Sequence, residues 1–465
     1  MPVSLKTVSG RVSPANQAAW WKPFDLDRFG NKYFIACIVP INGAATTYHN
    51  VLIAKEDTAG NVTSSYCVDG PGRLATWLND VGHNCPSIVV DANGFIHVFT
   101  SMHTNEIRYY RSQAPYDITT MQRQFFEWPD SVWQYTYPTV TKDSAGNVYL
   151  LVRCGVQNQT ILTHRMGALY KWTPAALTDG AEVLVQPVSP GKWRRFKLLF
   201  WEADRSFYPD DLRIGTDSLV HTIYEVGPQH AGTLRHRGTY ARINASAAGL
   251  TDIAGAALTT PLATAVTQGA EVYQDLVEGE EYLANSTSST FNNMAGIQAA
   301  KIIWDSDNNA FQGVVYRYRP MRTSGGSTFG GFGIRVATWN GTAWAHDDLF
   351  ELDSSSVSTS AAVAATVHGG VFRIYFSIEK GGVAWLCVAV GNPGSWEYYN
   401  LSRPAGYTLP LRFQIEKYAT ADATGTDDVG YLTAPNLNVA WSVTIPEDLT
   451  DLTSYATFDG LIGSL

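Results

Sequence analysis

The sequence repeats one local pattern seven times, and this repeat constrains the fold more than any other feature. Each copy has a strand-like stretch, a short turn rich in Asp, Asn and Gly, and a second strand-like stretch. Gly and Asn accept the positive φ that tight hairpin turns require. The predicted turns are centred near Gly30, Gly94, Gly146, Ser218, Asn309, Gly370 and Thr426.

These turns are spaced by about 66 residues on average, so that seven units fill almost all of the 465 residues. Apolar and polar residues alternate within the units, as in strands with one buried face, and the buried side of one strand includes His97 as a core residue. Radial closure protects the edges of such sheets. We therefore predict an all-β fold, a seven-bladed β-propeller of four-stranded antiparallel blades, with residues 1–465 as a single domain. A β-helix is the main competing fold, but its rungs are shorter and more regular.

Composition excludes some classes of partner. The chain has 42 acidic and 33 basic residues, a net charge of −9, which argues against a nucleic-acid partner. No apolar run is long enough to cross a bilayer, so we expect no membrane partner. Its five cysteines form no C-x-x-C motif; a bridge between Cys37 and Cys67 stays open. The start Met1-Pro2-Val3-Ser4 lacks the regions of a secretion signal.

Two consecutive hairpins carry polar residues at equivalent strand ends. His83 precedes the first hairpin, shortly before Pro86, and His103 follows it. Tyr137 lies directly before Pro138 at the start of the second hairpin, and Arg153 ends it. Because neighbouring blades bring equivalent strand ends to one mouth of the ring, we expect these four side chains to meet there.

The same stretch resembles a known family. The residues that carry the resemblance are Gly82-His83-Asn84-x-Pro86-Ser87, then Asp91-x-x-Gly94-x-Ile96-His97-Val98, then Ile107-Arg108-Tyr109-Tyr110-Arg111-Ser112. They are similar to the β-propeller polysaccharide lyases that include the ulvan lyases of families twenty-four and twenty-five. The resemblance implies β-elimination at a uronic acid by two histidines, a tyrosine and an arginine. It also implies an anionic polysaccharide as partner. Because the chain lacks a secretion signal, an intracellular protein stays open, but we expect an extracellular protein whose signal is absent from this chain or a virion-associated one.

The chemistry of this reaction suits the same four candidate catalytic residues. A uronate loses its C5 proton only if the adjacent carboxylate is neutralised, and the planar guanidinium of Arg153 suits that carboxylate. His83 has the right basicity to accept the proton, and Tyr137 is positioned to donate one to the leaving oxygen. Alternatively Tyr137 performs both transfers while His83 holds the substrate. We expect His103 to bind or orient the substrate.

Each of these residues also has a structural interpretation. A histidine at a strand end is often satisfied by its own chain, and Tyr137 could be an ordinary core aromatic. Arg153 could pair with Asp143 or Glu127. The candidates for substrate binding are of three kinds. Basic residues would bind an anionic polymer, aromatic rings would stack on sugars, and one amide lies at a blade entrance. These residues are Arg108, Arg195, Arg213, Trp201, Tyr208 and Asn84.

We expect no cofactor in catalysis, and two weak patterns leave a structural ion open. Cys154 and His164 could bind zinc together with His221, His230 or His236, although the spacing matches no strong zinc signature. The turn Asp305-Ser306-Asp307-Asn308-Asn309 could hold calcium, but the regular distal Glu is absent.

Two other function classes remain open. A propeller glycoside hydrolase needs a pair of carboxylates, which Glu202, Asp204, Asp210 or Asp211 could supply. A noncatalytic glycan-binding propeller of a phage or surface adhesin needs no such pair.

Overall fold

A computed structural model of the chain describes residues 3–13, 21–41, 47–80, 83–84, 86–124, 133–156, 165–174, 192–201, 205–228, 237–247, 249–259, 271–274, 296–319, 333–351, 357–359, 362–402, 406–408, 411–420, 424–434 and 438–449. These residues form strands and one 3₁₀ turn at Ile118–Thr120. Within them, no helix has the length and hydropathy needed to cross a membrane.

Thirty-five strands are present in the described residues. The first are β1 (Ser4–Ser9), β2 (Phe24–Leu26), β3 (Lys32–Ile38), β4 (Tyr48–Glu56), β5 (Val62–Tyr66), β6 (Val68–Gly70), β7 (Arg73–Leu74), β8 (Thr76–Leu78), β9 (Ser87–Val90), β10 (Ile96–Phe99), β11 (His103–Asn105), β12 (Tyr109–Ser112), β13 (Met121–Arg123) and β14 (Trp133–Lys142). The next are β15 (Val148–Val156), β16 (Met166–Thr173), β17 (Lys192–Phe200), β18 (Arg205–Ile214), β19 (Leu219–Pro228), β20 (Arg237–Asn244), β21 (Leu250–Thr251), β22 (Glu271–Gln274), β23 (Gly296–Asp305) and β24 (Ala310–Arg319). The last are β25 (Gly333–Trp339), β26 (Trp344–Glu351), β27 (Val357–Ser358), β28 (Ala364–His368), β29 (Val371–Lys380), β30 (Val383–Asn392), β31 (Ser395–Asn400), β32 (Tyr407–Thr408), β33 (Arg412–Ala419), β34 (Thr424–Ala434) and β35 (Val439–Ile445).

The strands form seven sheets, which are the blades of a β-propeller. In ring order, blade 1 is β2-β3-β4-β5 with β8 beside β4, blade 2 is β9-β10-β12-β13-β6-β7, and blade 3 is β11-β14-β15-β16-β17. Blade 4 is β18-β19-β20-β21 with β22 beside β20, and blade 5 is β23-β24-β25-β26. Blade 6 is β28-β29-β30-β31 with β27 beside β29 and β32 beside β30, and blade 7 is β33-β34-β35-β1. The predicted seven-bladed propeller is confirmed, with four to six strands in each blade. The predicted hairpins coincide with the first two strands of each blade's main sheet order, but the position of the seventh turn was wrong: Thr426 lies inside β34, and the turn falls between Ala419 and Thr424.

The first strand of each blade lines the centre of the ring, and these strands contact one another in order from β2 to β33. Blade 7 then closes on blade 1 through hydrogen bonds from Tyr418 Oη to the Gly30 carbonyl and from Thr420 Oγ1 to the Arg28 carbonyl. The N-terminal strand β1 is the outer strand of blade 7 and pairs with β35. The two ends of the chain therefore meet in one sheet, which holds the ring shut.

An apolar cluster fills each of the seven interfaces between neighbouring blades. The cluster between blades 7 and 1 contains Phe34, which is fully buried and lies 6.3 Å from Tyr431 between ring centroids. Cys37 and Cys67 are both buried and form no disulfide, so the bridge that the sequence left open is absent.

Three consecutive inner strands are irregular at the same level. The pairing register shifts between Thr136 and Thr139 in β14, between Pro209 and Asp211 in β18, and between Gln298 and Ala300 in β23. Proline lacks the N–H that a sheet ladder needs and is tolerated at bulges and edge strands. Pro138 and Pro209 thus stand at the bulges of β14 and β18, whereas β23 is irregular without a proline.

We expect Phe34→Ala to lower the free energy of unfolding by about 3–5 kcal/mol, because it opens a cavity at the interface that closes the ring. Phe29→Ala is the matched control. Phe29 is in the same blade but 42% exposed, so its replacement should cost about 1 kcal/mol or less. Urea denaturation of both variants measures the difference; equal losses would contradict this description of the closing interface.

Candidate active site

The two mouths of the ring differ. The upper mouth lies where the first strands of the blades begin, near Ser87, Trp133 and Arg205, and the lower mouth lies at the predicted hairpin turns, near Gly94 and Gly146. The four catalytic residues predicted from the sequence, His83, His103, Tyr137 and Arg153, meet at the upper mouth.

His103 reaches the upper mouth through the short strand β11. This strand adds to the free edge of β14, with His103 opposite Thr136 and Asn105 opposite Tyr135. The edge is available because the first strand of a blade has no sheet partner on its central side unless another segment is added. Pairing with β14 places His103 beside Tyr137, the next residue after Thr136.

His83 is held in a turn that starts at Asp80. The Asp80 carbonyl accepts hydrogen bonds from the amides of His83, at 3.1 Å, and Asn84, at 3.3 Å. The Asp80 carboxylate also contacts both histidines: Oδ1 is 2.7 Å from His83 Nδ1, and Oδ2 forms a very short hydrogen bond with His103 Nδ1. The two imidazoles stack with centroids 3.7 Å apart and an interplanar angle of 2°.

Asp80, His83 and His103 have the composition of a metal site, but their ring geometry does not fit one ion. A metal lies about 2.0–2.1 Å from a ligating imidazole nitrogen, in the plane of the ring. Two parallel rings stacked 3.7 Å apart have no plane in common. The arrangement fits one carboxylate that accepts a hydrogen bond from each ring.

Tyr137 lies between the histidine pair and Arg153. Its ring centroid is 5.6 Å from that of His83, and the Arg153 Cζ atom is 4.3 Å from the Tyr137 ring. Tyr137 has φ 60°, a left-handed conformation that is uncommon for a large side chain and is typical of functional sites. The bulge at Pro138 produces this conformation and turns the phenol towards the centre of the ring.

Arg153 is buried and is held by aromatic rings. Its Cζ atom lies 4.3 Å from the Tyr137 ring and 5.2 Å from the Tyr208 ring, and its side chain is 4% exposed. Burial lowers the pKa of Arg153 from its ordinary value, although Tyr137 and Tyr208 act in the opposite direction and Arg165 adds to the lowering. In the described part of the chain no carboxylate lies within ion-pair distance of this guanidinium. Asp143, one expected partner, instead accepts from Asn147 and Tyr149, and Glu127 lies outside the described residues.

The five residues His83, His103, Tyr137, Arg153 and Tyr208 are called the upper-mouth cluster below. Tyr208 joins it with its ring centroid 5.8 Å from that of Tyr137. The sequence predicted all five. It missed Asp80, which stands three residues before His83, and Trp21, a fully buried ring packed edge-on against Tyr137 at 5.4 Å. The Asp-x-x-His spacing was the available signal for Asp80; nothing in the hairpin repeat pointed to Trp21.

Three predicted substrate-binding residues have structural contacts instead. Asn84 is buried, and its amide donates to the Leu78 carbonyl at 2.5 Å. Arg108 donates to the Ser101 carbonyl and stacks over Trp77, with Cζ 3.6 Å from the ring, and burial lowers its pKa to about 10. Arg195 lies on the outer strand β17, over the Trp133 ring at 4.7 Å. The structure does not bring these three side chains into the upper-mouth cluster.

Trp201 and Arg213 lie in different places. Arg153 on β15 pairs with Gly167 on β16, and Gly167 pairs with Phe200 on β17. Phe200 is therefore two strand spacings, about 10 Å, from Arg153, and Trp201 is the next residue. Trp201 is 44% exposed, at the rim of the upper mouth. Arg213 lies near the other end of β18, five residues beyond Tyr208, and is paired with Glu416 at 3.2 Å. The prediction that Arg213 binds the same substrate is not supported by this position.

The lower mouth contains a separate cavity of about 530 Å³, lined by residues that include Lys22, Asp25, Lys142, Arg213 and Glu416. Its charges are paired within the chain. Asp25 lies 3.3 Å from Lys22 and 2.8 Å from Lys142. This cavity is therefore chemically unlike the upper mouth, where Arg153 has no carboxylate partner among the described residues.

The carboxylates expected for a hydrolase are inside the ring. Asp211 Oδ2 accepts from the Ile302 amide, at 3.1 Å, and Asp210 is buried, which together with nearby Glu225 raises its pKa well above its ordinary value. Burial likewise raises the pKa of Glu225 to about 8. Glu202 and Asp204 lie outside the described residues. Asp80 contacts the upper-mouth cluster through its hydrogen bonds with His83 and His103.

The expected ion-binding residues are not gathered at one place. Cys154 is buried in the apolar cluster between blades 2 and 3, whereas His221 is in blade 4, with Nδ1 2.6 Å from Tyr240 Oη. His164, His230 and His236 lie outside the described residues. In the proposed calcium turn, Asp305 accepts hydrogen bonds from the amides of Asp307 and Asn308, as in an ordinary Asx turn.

Comparison with known proteins gives a family and a fold. A family model described as "BNR repeat-containing family member" matches residues 34–329, and no curated protein matches the sequence. Among solved structures, the chain is similar to a polysaccharide lyase PL25, an ulvan lyase bound to -[GlcA(1-4)Rha3S]-, with a TM-score of 0.60 and 14% identity over 97% of this chain and 99% of that chain. A second PL25 ulvan lyase structure matches with a TM-score of 0.60 and 15% identity over the same shares. The GH93 α-L-arabinofuranosidase of Fusarium graminearum, in complex with arabinobiose, matches with a TM-score of 0.42 and 10% identity over 80% of this chain and 94% of that chain.

We expect Arg213→Ala to lower the free energy of unfolding at pH 7 by about 3 kcal/mol, because it leaves Glu416 without its partner. Burial alone raises the pKa of Glu416, but the charge of Arg213 reverses this and lowers it to about 2. The ion pair therefore stabilises the fold above the ordinary Glu pKa, and this contribution is lost as the pH falls towards about 2. Urea denaturation should show a smaller difference from the unmodified protein at pH 3 than at pH 7. Arg195→Ala, at an exposed position, is the control, and an equal effect there would contradict the assignment.

Proposed function

The chain belongs to the BNR repeat-containing family, and on this premise we propose that it is a polysaccharide lyase, which cleaves a uronic-acid-containing anionic polysaccharide by β-elimination. One observation carries the proposal: two histidines, a tyrosine and a buried arginine without a carboxylate partner among the described residues face one another at the upper mouth. The shared fold with the PL25 ulvan lyase structures supports an ulvan-like polymer as substrate. Such a polymer is met outside the cell or at a virion surface.

Arg153 supplies the electrostatic part of the reaction. Loss of the C5 proton leaves negative charge that spreads into the uronate carboxyl group, so a cation at that group stabilises the transition state. The guanidinium offers two parallel donors that match a carboxylate. Its desolvated position between Tyr137 and Tyr208 strengthens this contact, because charges attract more strongly in a medium of low dielectric constant.

The proton transfers follow from the order of the side chains. His83 accepts the C5 proton, the C5–H electron pair forms the C4=C5 double bond, and the C4–O glycosidic bond breaks. Tyr137 donates its phenolic proton to the departing oxygen. One product carries an unsaturated uronate at its non-reducing end, and the other ends in a new hydroxyl group. His103, which stacks on His83, orients the sugar, and Tyr208 and the exposed Trp201 provide surfaces on which neighbouring sugars stack.

A glycoside hydrolase is less well supported, because it requires two carboxylates about 5–10 Å apart across the scissile bond. Asp80 is hydrogen-bonded to both histidines, and Asp210 and Asp211 are buried. A noncatalytic glycan-binding propeller would use the same side chains to bind the polymer without cleaving it. The absorbance assay with uronate polysaccharides distinguishes both alternatives from a lyase.

We expect the protein to release products with the ultraviolet absorbance of a conjugated unsaturated uronate when it is mixed with ulvan or another uronate polysaccharide. A panel should include a neutral polysaccharide, on which no signal is expected because Arg153 then has no carboxylate to neutralise. New reducing ends without the absorbance would indicate a hydrolase, and binding without cleavage would indicate a glycan-binding protein.

We expect Tyr137→Phe and Arg153→Ala each to lower kcat by roughly 10²–10⁴-fold while the protein stays folded, because each removes a group used in the transition state. His83→Ala should have the same effect if His83 is the base. If Tyr137 performs both transfers, His83→Ala should raise KM more than it lowers kcat. Tyr135→Phe is the matched control, since this buried ring lies two residues away with its hydroxyl 3.4 Å from that of Tyr170. Full activity of Tyr137→Phe would exclude the phenol as the acid.

A further inference from the structure

We infer that Asp80 is a positioning residue, which holds His83 and His103 in the same tautomer so that both Nε2 atoms are unprotonated and face the substrate. The inference rests on the proposed function for its role in catalysis. The tautomers of His83 and His103 themselves follow from the geometry of the upper mouth, and they can be measured without a substrate.

The contacts of Asp80 are divided evenly between the two rings. Oδ1 is 2.7 Å from His83 Nδ1, and Oδ2 forms the very short hydrogen bond with His103 Nδ1. The side chains of all three residues are about one third exposed, so the group opens towards the mouth and is not part of the core. Each ring thus presents the same nitrogen to the carboxylate and the opposite edge to the open side.

Charge determines which atoms carry the protons. Burial of the carboxyl group opposes ionisation, but the hydrogen bonds from His83 and His103 outweigh it and lower the pKa of Asp80. An ionised carboxylate is only an acceptor, so both Nδ1 atoms must be donors. A neutral imidazole with a proton on Nδ1 carries its lone pair on Nε2. The carboxylate therefore produces two bases that face away from it.

The stacking also bears on the charge of His103. Two imidazolium rings with centroids 3.7 Å apart would repel each other. Burial lowers the pKa of His103; the hydrogen bond to Asp80 acts against this, and charge on His83 and Arg153 adds to it. At neutral pH His103 is therefore neutral, and its Nε2 is an acceptor for a sugar hydroxyl.

Asp80 is suited to a clean substitution because its backbone and side chain have separate roles. The turn at His83 is held by the Asp80 carbonyl, which an amide side chain does not alter. Asp80→Asn keeps the shape but replaces one of the two acceptor oxygens with an NH₂ donor. That donor faces one of the two Nδ1 atoms, and this Nδ1 must then act as the acceptor. The neutral ring to which it belongs therefore carries its proton on Nε2.

The experiment uses the full chain labelled with ¹⁵N in the histidine rings, and long-range ¹H–¹⁵N correlation spectra at neutral pH. His83→Gln and His103→Gln identify the two signals. We expect the unmodified protein to show a proton on Nδ1 of both rings, and Asp80→Asn to show one of the two rings with its proton on Nε2. The kcat of Asp80→Asn should fall at least about 100-fold with a smaller change in KM, because the affected ring stays in place but carries a proton on the Nε2 atom that should be an acceptor.

Asp217→Asn is the matched control. Asp217 also faces a histidine, with Oδ2 3.9 Å from His221 Nε2, but lies in blade 4, outside the upper-mouth cluster. It should change neither the tautomers of His83 and His103 nor kcat. If both rings of Asp80→Asn keep the proton on Nδ1, the inference is wrong.

If Asp80→Asn does not fold, the unmodified protein still decides the question, since a proton on Nε2 of either ring contradicts the inference. If the tautomers respond as expected but the unmodified protein cleaves no uronate polymer, the proposed function fails and the positioning of the rings by Asp80 stands. Lyase activity together with unchanged tautomers overturns the inference alone.

Discussion

The unpaired central edge of each blade's first strand is the feature on which the site depends. A strand at a sheet edge has free N–H and C=O groups and tolerates proline and bulges, which a central strand does not. β14 uses this freedom twice. Its bulge at Pro138 turns Tyr137 towards the centre of the ring, and its free edge receives β11, which brings His103 from blade 2. With Tyr208 from β18, the propeller thus gathers side chains from blades 2, 3 and 4 without opening any interface between blades.

Two buried arginines show how burial alone fails to identify a binding site. Arg213 faces the lower mouth and is neutralised by Glu416, so its charge stabilises the fold. Arg153 faces the upper mouth and rests on the rings of Tyr137 and Tyr208. Removing a charge from water without a counter-ion is costly, although contact with the face of an aromatic ring offsets a part of the cost. Such a site favours an anionic ligand, because the ligand provides the missing charge.

These contrasts also explain how much the sequence could predict. The repeated turns, three of which are Asp-x-x-Gly, located the hairpins, and polar residues at the beginnings and ends of hairpins predicted the five members of the upper-mouth cluster. The pattern worked because equivalent positions in successive blades meet at the same mouth. Arg213 was misassigned because its charge says nothing about which end of β18 it occupies, and Tyr208 lies at the other end. Asp80 and Trp21 were missed because they stand outside the repeated hairpins, where periodicity gives no position.

A protein with an overall charge of −9 can bind an anionic polymer, because its net charge acts over longer distances than the contacts within the binding site. Charges in solution are screened beyond about 8 Å at physiological ionic strength, so the acidic surface acts weakly on a sugar that has already reached the mouth. At contact distance the local groups decide. There Asp80 is occupied by two imidazole donors, and Arg153 presents a positive charge. The same carboxylate that would repel a uronate is therefore the group that prepares the two histidines to receive it.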